Sequence, residues 1–409
     1  MGGAVRDKLL GLPVRERDWV IVGAMPKDVT QMLEEGFKPV GKDFPVFLHP
    51  KTQEEYALAR SERKVGKGYY GFEVYASPLV TLEEDLLRRD LTINAMAESE
   101  AGDIIDPFNG QTDLKNRVLR HVSPAFAEDP VRTLRVARFA ARLAAMQFTV
   151  ATATIELMRG MVDSGEVDAL VPERVWQEMA RALQEKDPVP FFLVLRSCGV
   201  LNRLWPDLDK LWGIPQPEKY HPEIDTGVHV MMALKQACLF SEDPVVRFAT
   251  LVHDLGKGAT PETEWPSHRG HEERGVPLIQ AFCTRYRVPN EYRTLGILVS
   301  RFHLHTHKVF ELRAQTLIKT LEHLDAFRQP ERFEKFLLAC KADATGRQGK
   351  ETFEYPQADR MREACKIAKA VEIKPLIERG FDGAKLGESL HQSRVKAVEG
   401  AFKGNDSKL

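Results

Sequence analysis

Near its start the chain sets two acidic residues directly ahead of an apolar run, Glu16-Arg17-Asp18-Trp19-Val20-Ile21-Val22. The run reads as a strand. On a strand, residues i and i+2 point to the same side. Glu16 and Asp18 therefore present two carboxylates to one place at a sheet edge. Two hard oxygen ligands side by side suit Mg²⁺ carrying a nucleoside triphosphate. The upstream Gly2-Gly3-Ala4-Val5-Arg6-Asp7 agrees with that: the glycines let backbone N–H groups approach a phosphate, and Arg6 adds positive charge. A sheet-edge site of this kind normally has a strand ahead of Gly2-Gly3, so the start is expected to be clipped or misassigned.

A chain of 409 residues exceeds one compact core, so two to four domains are expected. Residues 1 to about 125 mix short apolar runs with turns. Val20 to Val22, Val46 to Leu48 and Tyr56 to Ala59 read as strands, and Lys27 to Glu35 and Leu82 to Arg88 as helices. Beyond Asp129 the pattern turns helical. Asp129-Pro130 is a sound start for the run from Val131 onward, with Pro in the first turn. Pro172 to Leu183 reads as a further helix. A Pro-rich break at Pro215 to Pro222 marks a boundary. A histidine-rich helical region follows, and the stretch from about Gly346 is charged and partly mobile. The fold class is α+β, with a small mixed-sheet head, an all-helical neck and body, and a helical tail. The division is 1–125, 126–220, 221–345 and 346–409.

Two basic clusters stand out. Asp129, Arg132, Arg135 and Arg138 are three apart on one broad helix face, joined by Arg142. The row is expected to have few acidic partners and is interleaved with Val, Ala, Phe and Leu. One reading is a solvated charged face. The other is a set of semi-buried arginines that bind something anionic. The second cluster, Arg88-Arg89-Asp90-Leu91-Thr92-Ile93-Asn94-Ala95, puts two arginines before a β-like run. It follows Glu83-Glu84-Asp85, so a salt bridge is expected to hold one of the two. With a net charge of −1 the chain is no bulk polycation, and a nucleic acid must be held by such local patches.

GGAVRD, the acidic pair ending in DWVIVG, RRDLTINAMA, DPFNG with a following LRH, and EDPVRTLRVARFAAR occur in that order. Together they resemble the class II CCA-adding enzymes, bacterial tRNA nucleotidyltransferases of the polymerase-β-like superfamily. The resemblance runs by motif over roughly residues 1 to 220. It implies a head that holds a metal-bound triphosphate and a helical neck that holds the base. Carried over by position, it makes Glu16 and Asp18 the catalytic Mg²⁺ ligands. Gly3, Arg6, Arg89, Arg135 and Arg138 become the contacts to ATP and CTP, and Asp129 with Arg132 the base-reading pair. Glu55 is either a third carboxylate near the attacking hydroxyl or a surface strand residue. One departure matters: the family has Asp-x-Asp where this chain has Glu16-x-Asp18. The extra methylene is an offset of about 1 Å at the metal, a size that can cost ~10²-fold in rate.

His229, His253-Asp254 and Asp343 fit the H…HD…D spacing of HD-type phosphohydrolases. His and Asp together suit a divalent transition metal with a bound water as nucleophile. His268, His271, His303, His305 and His307 are candidates to extend the set. Within the resembling family this tail implies a metal-dependent phosphatase, with Ni²⁺ a possible ion, acting on 2′-nucleotides and 2′,3′-cyclic phosphates. Two other functions remain open: a poly(A) polymerase of the same superfamily, and an RNA-binding HD phosphohydrolase with an inactive head. The first usually carries a basic extension in place of an HD region. The implied partners are tRNA, CTP and ATP, with no membrane, and the protein is a monomer or homodimer. The five scattered cysteines contain no CxxC and suit a reducing cytoplasm.

Overall fold

The computed structural model describes residues 1–14, 16–40, 46–64 and 72–406. The architecture is α+β, with a small mixed sheet at the front and helices through nearly all that follows. The chain clusters into two compact units, Met1–Leu204 and Trp205–Leu409.

The first unit opens with helix α1 (Gly3–Leu9), strand β1 (Asp18–Ile21), helix α2 (Pro26–Glu34) and strands β2 (Lys38–Val40), β3 (Val46–Leu48) and β4 (Glu55–Leu58). The strands lie in the order β1-β4-β3-β2, with β1 parallel to β4 and the other pairs antiparallel. The parallel register sets Asp18 beside Glu55. The hairpin of β5 (Arg60–Lys64) and β6 (Phe72–Ala76) leads to α3 (Leu82–Leu87). Helix α3 is started by a capping box in which Thr81 and Glu84 satisfy each other's backbone N–H. Strands β1, β3 and β4 and helices α2 and α3 lie within two residues of the ends the sequence suggests, while α1, β2, β5 and β6 were not expected.

The run after Arg89 is different. In place of a strand it forms a 3-10 turn over Thr92–Asn94, and then β7 (Ala97–Glu98) pairs with β8 (Ile104–Ile105). Local side-chain bonds decide this. Asn94 donates its amide to Asp90 Oδ1 at 3.0 Å, and the Thr92 hydroxyl donates to Asp113 Oδ2 at 2.7 Å. Such bonds compete with a strand ladder.

Next come α4 (Gly110–Asn116), β9 (Val118–Leu119), α5 (Val131–Arg142), β10 (Thr149–Val150), α6 (Thr152–Asp163), α7 (Pro172–Gln184), α8 (Val189–Ser197) and α9 (Val200–Leu204). Helix α5 begins where expected, with Asp129 Oδ1 accepting the Val131 N–H at 3.1 Å. It packs on α7 and α8, and Leu134, Val136, Ala137 and Ala140 are buried. A helix apolar on most sides must sit inside its unit, so its arginines are drawn inward with it.

The second unit contains α10 (Pro206–Asp209), α11 (Thr226–Phe240), α12 (Pro244–Val252), α13 (His271–Arg285), α14 (Asn290–His307), α15 (Ala314–His323), α16 (Pro330–Thr345), α17 (Pro356–Lys369), α18 (Lys374–Glu378) and α19 (Gly383–Asp406). Helices α11, α12, α14 and α16 pack on one another around Phe248, Leu251, Val299 and Phe336. The Pro215 to Pro222 stretch lies inside this unit. The charged stretch beyond Gly346 is helical, and α17 and α19 pack on each other and on α15. Ala358, Met361, Ala364 and Ala368 form a buried stripe at helical spacing that the charge of the stretch conceals. Among the described residues no helix is long and apolar enough to cross a membrane.

Candidate functional sites

In the first unit, Glu16 is exposed just ahead of β1 and Asp18 is half-buried as its first residue. Glu55 stands beside Asp18 on β4. Burial and the charges of Asp18 and Glu16 raise the proton affinity of the Glu55 carboxyl. Like charges that work on one another in this way favour a shared cation. The donors are all oxygen, the set that Mg²⁺ prefers.

Around this edge Arg6 is buried, Arg88 and Arg89 are half-buried, and all three are held. Gly2 has φ +62°, and a Cβ there would lie 2.7 Å from Arg89 Nη1, so only glycine allows the close approach. Arg6 donates from Nη1 to Asn94 Oδ1 at 2.6 Å and from Nε to Asp7 Oδ1 at 2.8 Å. Arg89 donates to the Asn94 carbonyl at 3.4 Å and pairs with Asp85 at 3.4 Å. Arg88 pairs with the same carboxylate at 2.6 Å, which meets the expectation that Glu83-Glu84-Asp85 holds an arginine.

The α5 row corrects one expectation. It does have acidic partners, but they come from distant parts of the chain. Arg135 Nε meets Asp90 Oδ2 at 2.7 Å, Arg138 Nε meets Glu178 Oε2 at 2.6 Å, and Arg142 Nη2 meets Asp7 Oδ2 at 2.8 Å. Burial pushes the Asp90 carboxyl up, but Arg135, the Asn94 amide and Arg132 hold it well below the usual carboxylate range. The guanidinium carbons of Arg6, Arg135 and Arg138 lie 5.0, 5.9 and 4.8 Å from the Phe139 ring centre. One aromatic ring thus gathers three of the arginines singled out from the sequence.

Asp129 and Arg132 are likewise set by other elements. Both Asp129 oxygens accept from Arg174 on α7, at 3.3 and 3.1 Å, while Arg132 Nη1 donates to the Ala125 carbonyl at 2.7 Å. Sequence reasoning missed Asp90, Asn94, Glu178, Phe139 and Arg174. Asp90 and Asn94 had a signal, because they lie i, i+4 inside the RRDLTINA run. Phe139 also had one, because Arg135 and Arg138 lie four residues and one residue before it, whereas Glu178 and Arg174 had none, because their partners are remote in sequence.

In the second unit, His229 (α11), His253-Asp254 (end of α12) and Asp343 (α16) meet in a buried cluster. His229 Nε2 is 3.1 Å from Asp343 Oδ1, and His253 Nε2 is 3.2 Å from Asp254 Oδ2 and 3.6 Å from Asp343 Oδ1. His307 joins at 2.5 Å from Asp343 Oδ2. His271 Nε2 lies 3.3 Å from Asp254 Oδ1, and His303 Nε2 lies 3.9 Å from it.

Four of the rings are oriented in the same way. Nδ1 of His229, His253, His271 and His303 faces the carbonyls of Gly346, Thr250, His268 and Ser300, at 3.2, 2.7, 2.8 and 2.9 Å. A carbonyl only accepts, so each Nδ1 carries the proton and each Nε2 turns to the carboxylates. Metal-binding histidines are fixed in this way. His253 Nε2 and both Asp254 oxygens are buried without an aligned hydrogen bond, a set of orphaned donor atoms that fits a metal. Burial opposes charge on His253, but Asp254 and Asp343 outweigh it and push the ring up to about 10. Burial drives His303 and His307 down, toward the neutral form that ligates.

His268 and His305 do not extend the set. His268 Nε2 bonds the Pro215 carbonyl at 2.9 Å, and His305 Nδ1 bonds Thr320 Oγ1 at 2.9 Å. On α14, His303 and His307 are i, i+4 and share a face, while His305 falls between them on the opposite side. Lys257, in the run His253 to Gly258 at the core of the motif, lies 2.6 Å from Asp254 Oδ2 and was given no role of its own, and Tyr355, whose hydroxyl is 2.7 Å from His307 Nδ1, was missed. Lys257 lies within the HDLGKG run and was visible there; Tyr355 was not.

Residues 1–120 match a family model described as the Poly A polymerase head domain. Residues 147–211 match one described as the Probable RNA and SrmB- binding site of polymerase A, and residues 226–327 match the HD domain. Fold and matches together define a class, a polymerase-type head followed by helical regions and an HD domain. Within it, a Multifunctional CCA protein of Thioalkalivibrio sulfidiphilus (strain HL-EbGR7) is 62% identical over 399 residues, 98% of this chain and 97% of its own length. That of Alkalilimnicola ehrlichii (strain ATCC BAA-1101 / DSM 17681 / MLHE-1) is 60% identical over 97% of this chain and 96% of its own. This chain belongs to the family of multifunctional CCA proteins.

Solved structures agree in fold. A CCA-adding enzyme in complex with ATP superposes with a TM-score of 0.65 at 20% identity, covering 97% of this chain and 84% of that one. The Thermotoga maritima CCA-adding enzyme complexed with tRNA_CCA gives 0.63 at 21% identity, covering 98% and 85%.

Proposed function

We propose that this protein builds and repairs the 3′-terminal CCA of tRNA from CTP and ATP without a nucleic-acid template. Its HD region is a second, metal-dependent phosphohydrolase, acting on 2′-nucleotides and 2′,3′-cyclic phosphates. The observation that carries the first part is a juxtaposition within one compact unit. A carboxylate edge of Glu16, Asp18 and Glu55 lies in the same unit as Arg6, Arg89, Arg135 and Arg138, each already fixed by an acid or amide. The names of the relatives support it.

In this reading residues 1–125 hold the triphosphate, 126–220 read the base and bind tRNA, 221–345 form the phosphohydrolase, and 346–409 are a helical tail. The tRNA 3′-hydroxyl attacks the α-phosphate in line and pyrophosphate leaves. Glu16 and Asp18 would hold Mg²⁺, which when bound would lower the hydroxyl pKa and neutralise the leaving oxygens. Gly3, Arg6, Arg89, Arg135 and Arg138 bind the triphosphate, and because their partners pre-orient them they need little reorganisation as charge develops. The raised proton affinity of Glu55 supports a role in accepting the hydroxyl proton. Asp129 accepts from the exocyclic amine of cytosine or adenine while Arg132 donates to the adjacent ring nitrogen, so one protein edge serves both bases.

The HD region would use His229, His253, Asp254 and Asp343 to hold a divalent transition metal, with Ni²⁺ one candidate. This pairing of activities suits an enzyme that clears a cyclised or damaged RNA end before extending it in the cytoplasm, as a monomer or homodimer. The deciding experiment incubates the purified protein with a tRNA lacking its 3′ end, with CTP and ATP separately and together. Cytidine addition with CTP alone, and adenosine only after it, is expected. Long adenosine tails from ATP alone would instead identify a poly(A) polymerase.

A further inference from the structure

Three of the arginines assigned to the triphosphate share one aromatic ring. Arg135 and Arg138 stand with Phe139 on α5, and Arg6 reaches the same ring from α1. Phe139 is buried. The central carbons of Arg6 and Arg138 lie 5.0 and 4.8 Å from the ring centre, which puts the two charges within about 10 Å of each other. That is no more than the screening length at 0.1 M salt, roughly 10 Å, so solvent ions do not remove their repulsion. The cluster must be held against its own charge while no ligand is bound.

Acids do part of this. Arg135 and Arg138 each give Nε–H to a carboxylate, of Asp90 and Glu178, and Arg6 gives Nε–H to Asp7. Among the described residues the Nη groups of Arg135 and Arg138 make no hydrogen bond. More carboxylates would take those donors and cancel the charge that a triphosphate needs. An aromatic ring does neither. Its negative face attracts a cation and leaves the N–H groups at the edge of the guanidinium fork free. Packing alone would accept an aliphatic side chain here, as it does at the buried Leu134 of the same helix.

We propose that Phe139 is a positioning residue for nucleotide transfer: its ring holds Arg6, Arg135 and Arg138 in one charged cradle and so sets the affinity for the triphosphate. This rests on the head being the triphosphate site proposed above. The triphosphate is common to CTP and ATP, so the ring acts on both alike and leaves base choice untouched.

The test replaces Phe139 in the full-length chain with monofluoro-, difluoro- and trifluorophenylalanine. These keep the shape of the ring and drain its negative face in steps. Calorimetry gives the dissociation constants of CTP and ATP with Mg²⁺, and addition to a tRNA lacking its 3′ end gives KM and kcat. Both dissociation constants should rise with each fluorine, to about fivefold for the trifluoro ring, the size of a partly desolvated cation–π contact. KM should rise with them, while kcat and the ratio of CTP to ATP affinity hold. Phe139→Leu, which has apolar bulk and no π face, should bind at least as weakly as the trifluoro variant. Full affinity across the fluorinated series, with loss only in Phe139→Leu, would make the ring a packing residue and overturn its role while leaving the triphosphate site standing. A fall in kcat without a change in affinity would overturn it as well. A wild-type chain that binds neither nucleotide would overturn both the ring's role and the site.

Discussion

Asp90 connects the arginines at the scale of single side chains. It accepts from Arg135 and from Asn94, and Asn94 in turn accepts from Arg6. Removing one partner from a buried pair costs ~3–5 kcal/mol, and the half-open position of Arg135 lets water recover part, so Asp90→Asn should lose about 2 kcal/mol at pH 7. The sign with pH follows from the depressed carboxyl. Its stabilisation is present above the unfolded-state value near 3.8 and is lost as pH falls toward the lower folded-state value. The gap between wild type and variant in urea unfolding should stay constant from pH 7 to about 5 and narrow below pH 4. A gap that does not change with acid would remove Asp90 from this role. Glu16 offers a second test at this scale. Glu16→Asp should keep or raise the rate of CTP addition, and Glu16→Gln should lower it at least tenfold. Equal rates for Gln and Glu would show that the carboxylate holds no metal.

Helix α7 positions the start of α5. Arg174 grips both oxygens of Asp129, and Glu178, one turn further along α7, takes Arg138. One helix face thus sets both the proposed base-reading carboxylate and a proposed triphosphate arginine. Releasing Asp129 should let the wrong base pair with a moved carboxylate. The unpaired groups that now reject uracil and guanine cost roughly 1–3 kcal/mol each, so Arg174→Ala should raise UTP and GTP use relative to CTP and ATP by about tenfold. Asp129→Ala should give the same change, and the double variant should be no worse than either single one, because both act on the same contact. Steady-state kinetics with all four triphosphates provide the check. Unchanged selectivity in a folded Arg174→Ala variant would leave the pair as a structural tie between two helices.

For the whole molecule the central fact is the division into Met1–Leu204 and Trp205–Leu409, with one proposed centre in each. Asp18→Ala should abolish nucleotide addition and leave phosphatase activity intact. His253→Ala should do the reverse, at least a hundredfold in each case. Assays of both activities on both variants, with circular dichroism to show folding, would decide it. Loss of both activities in either folded variant would contradict two independent sites.

The sequence by itself fixed the kinds of element and the types of residue that carry chemistry. The i, i+2 acids before an apolar run placed Glu16 and Asp18 at a strand start, and Asp129-Pro130 marked the beginning of α5. The adjacent His253-Asp254 marked the buried histidine and carboxylate cluster of the second unit. All of these are local patterns, written within a few residues of one another. Tertiary structure alone decided the partners. Glu178 and Arg174 are 40 and 45 residues from the groups they hold, and Asp7 is 135 from Arg142. Tertiary structure also sorted His271, His303 and His307 from His268 and His305, because helix rotation and the close packing of Gly256 on the His271 backbone set which ring turns inward. A motif records which groups a site needs, but only the packed chain sets where each buried charge finds its counter-charge.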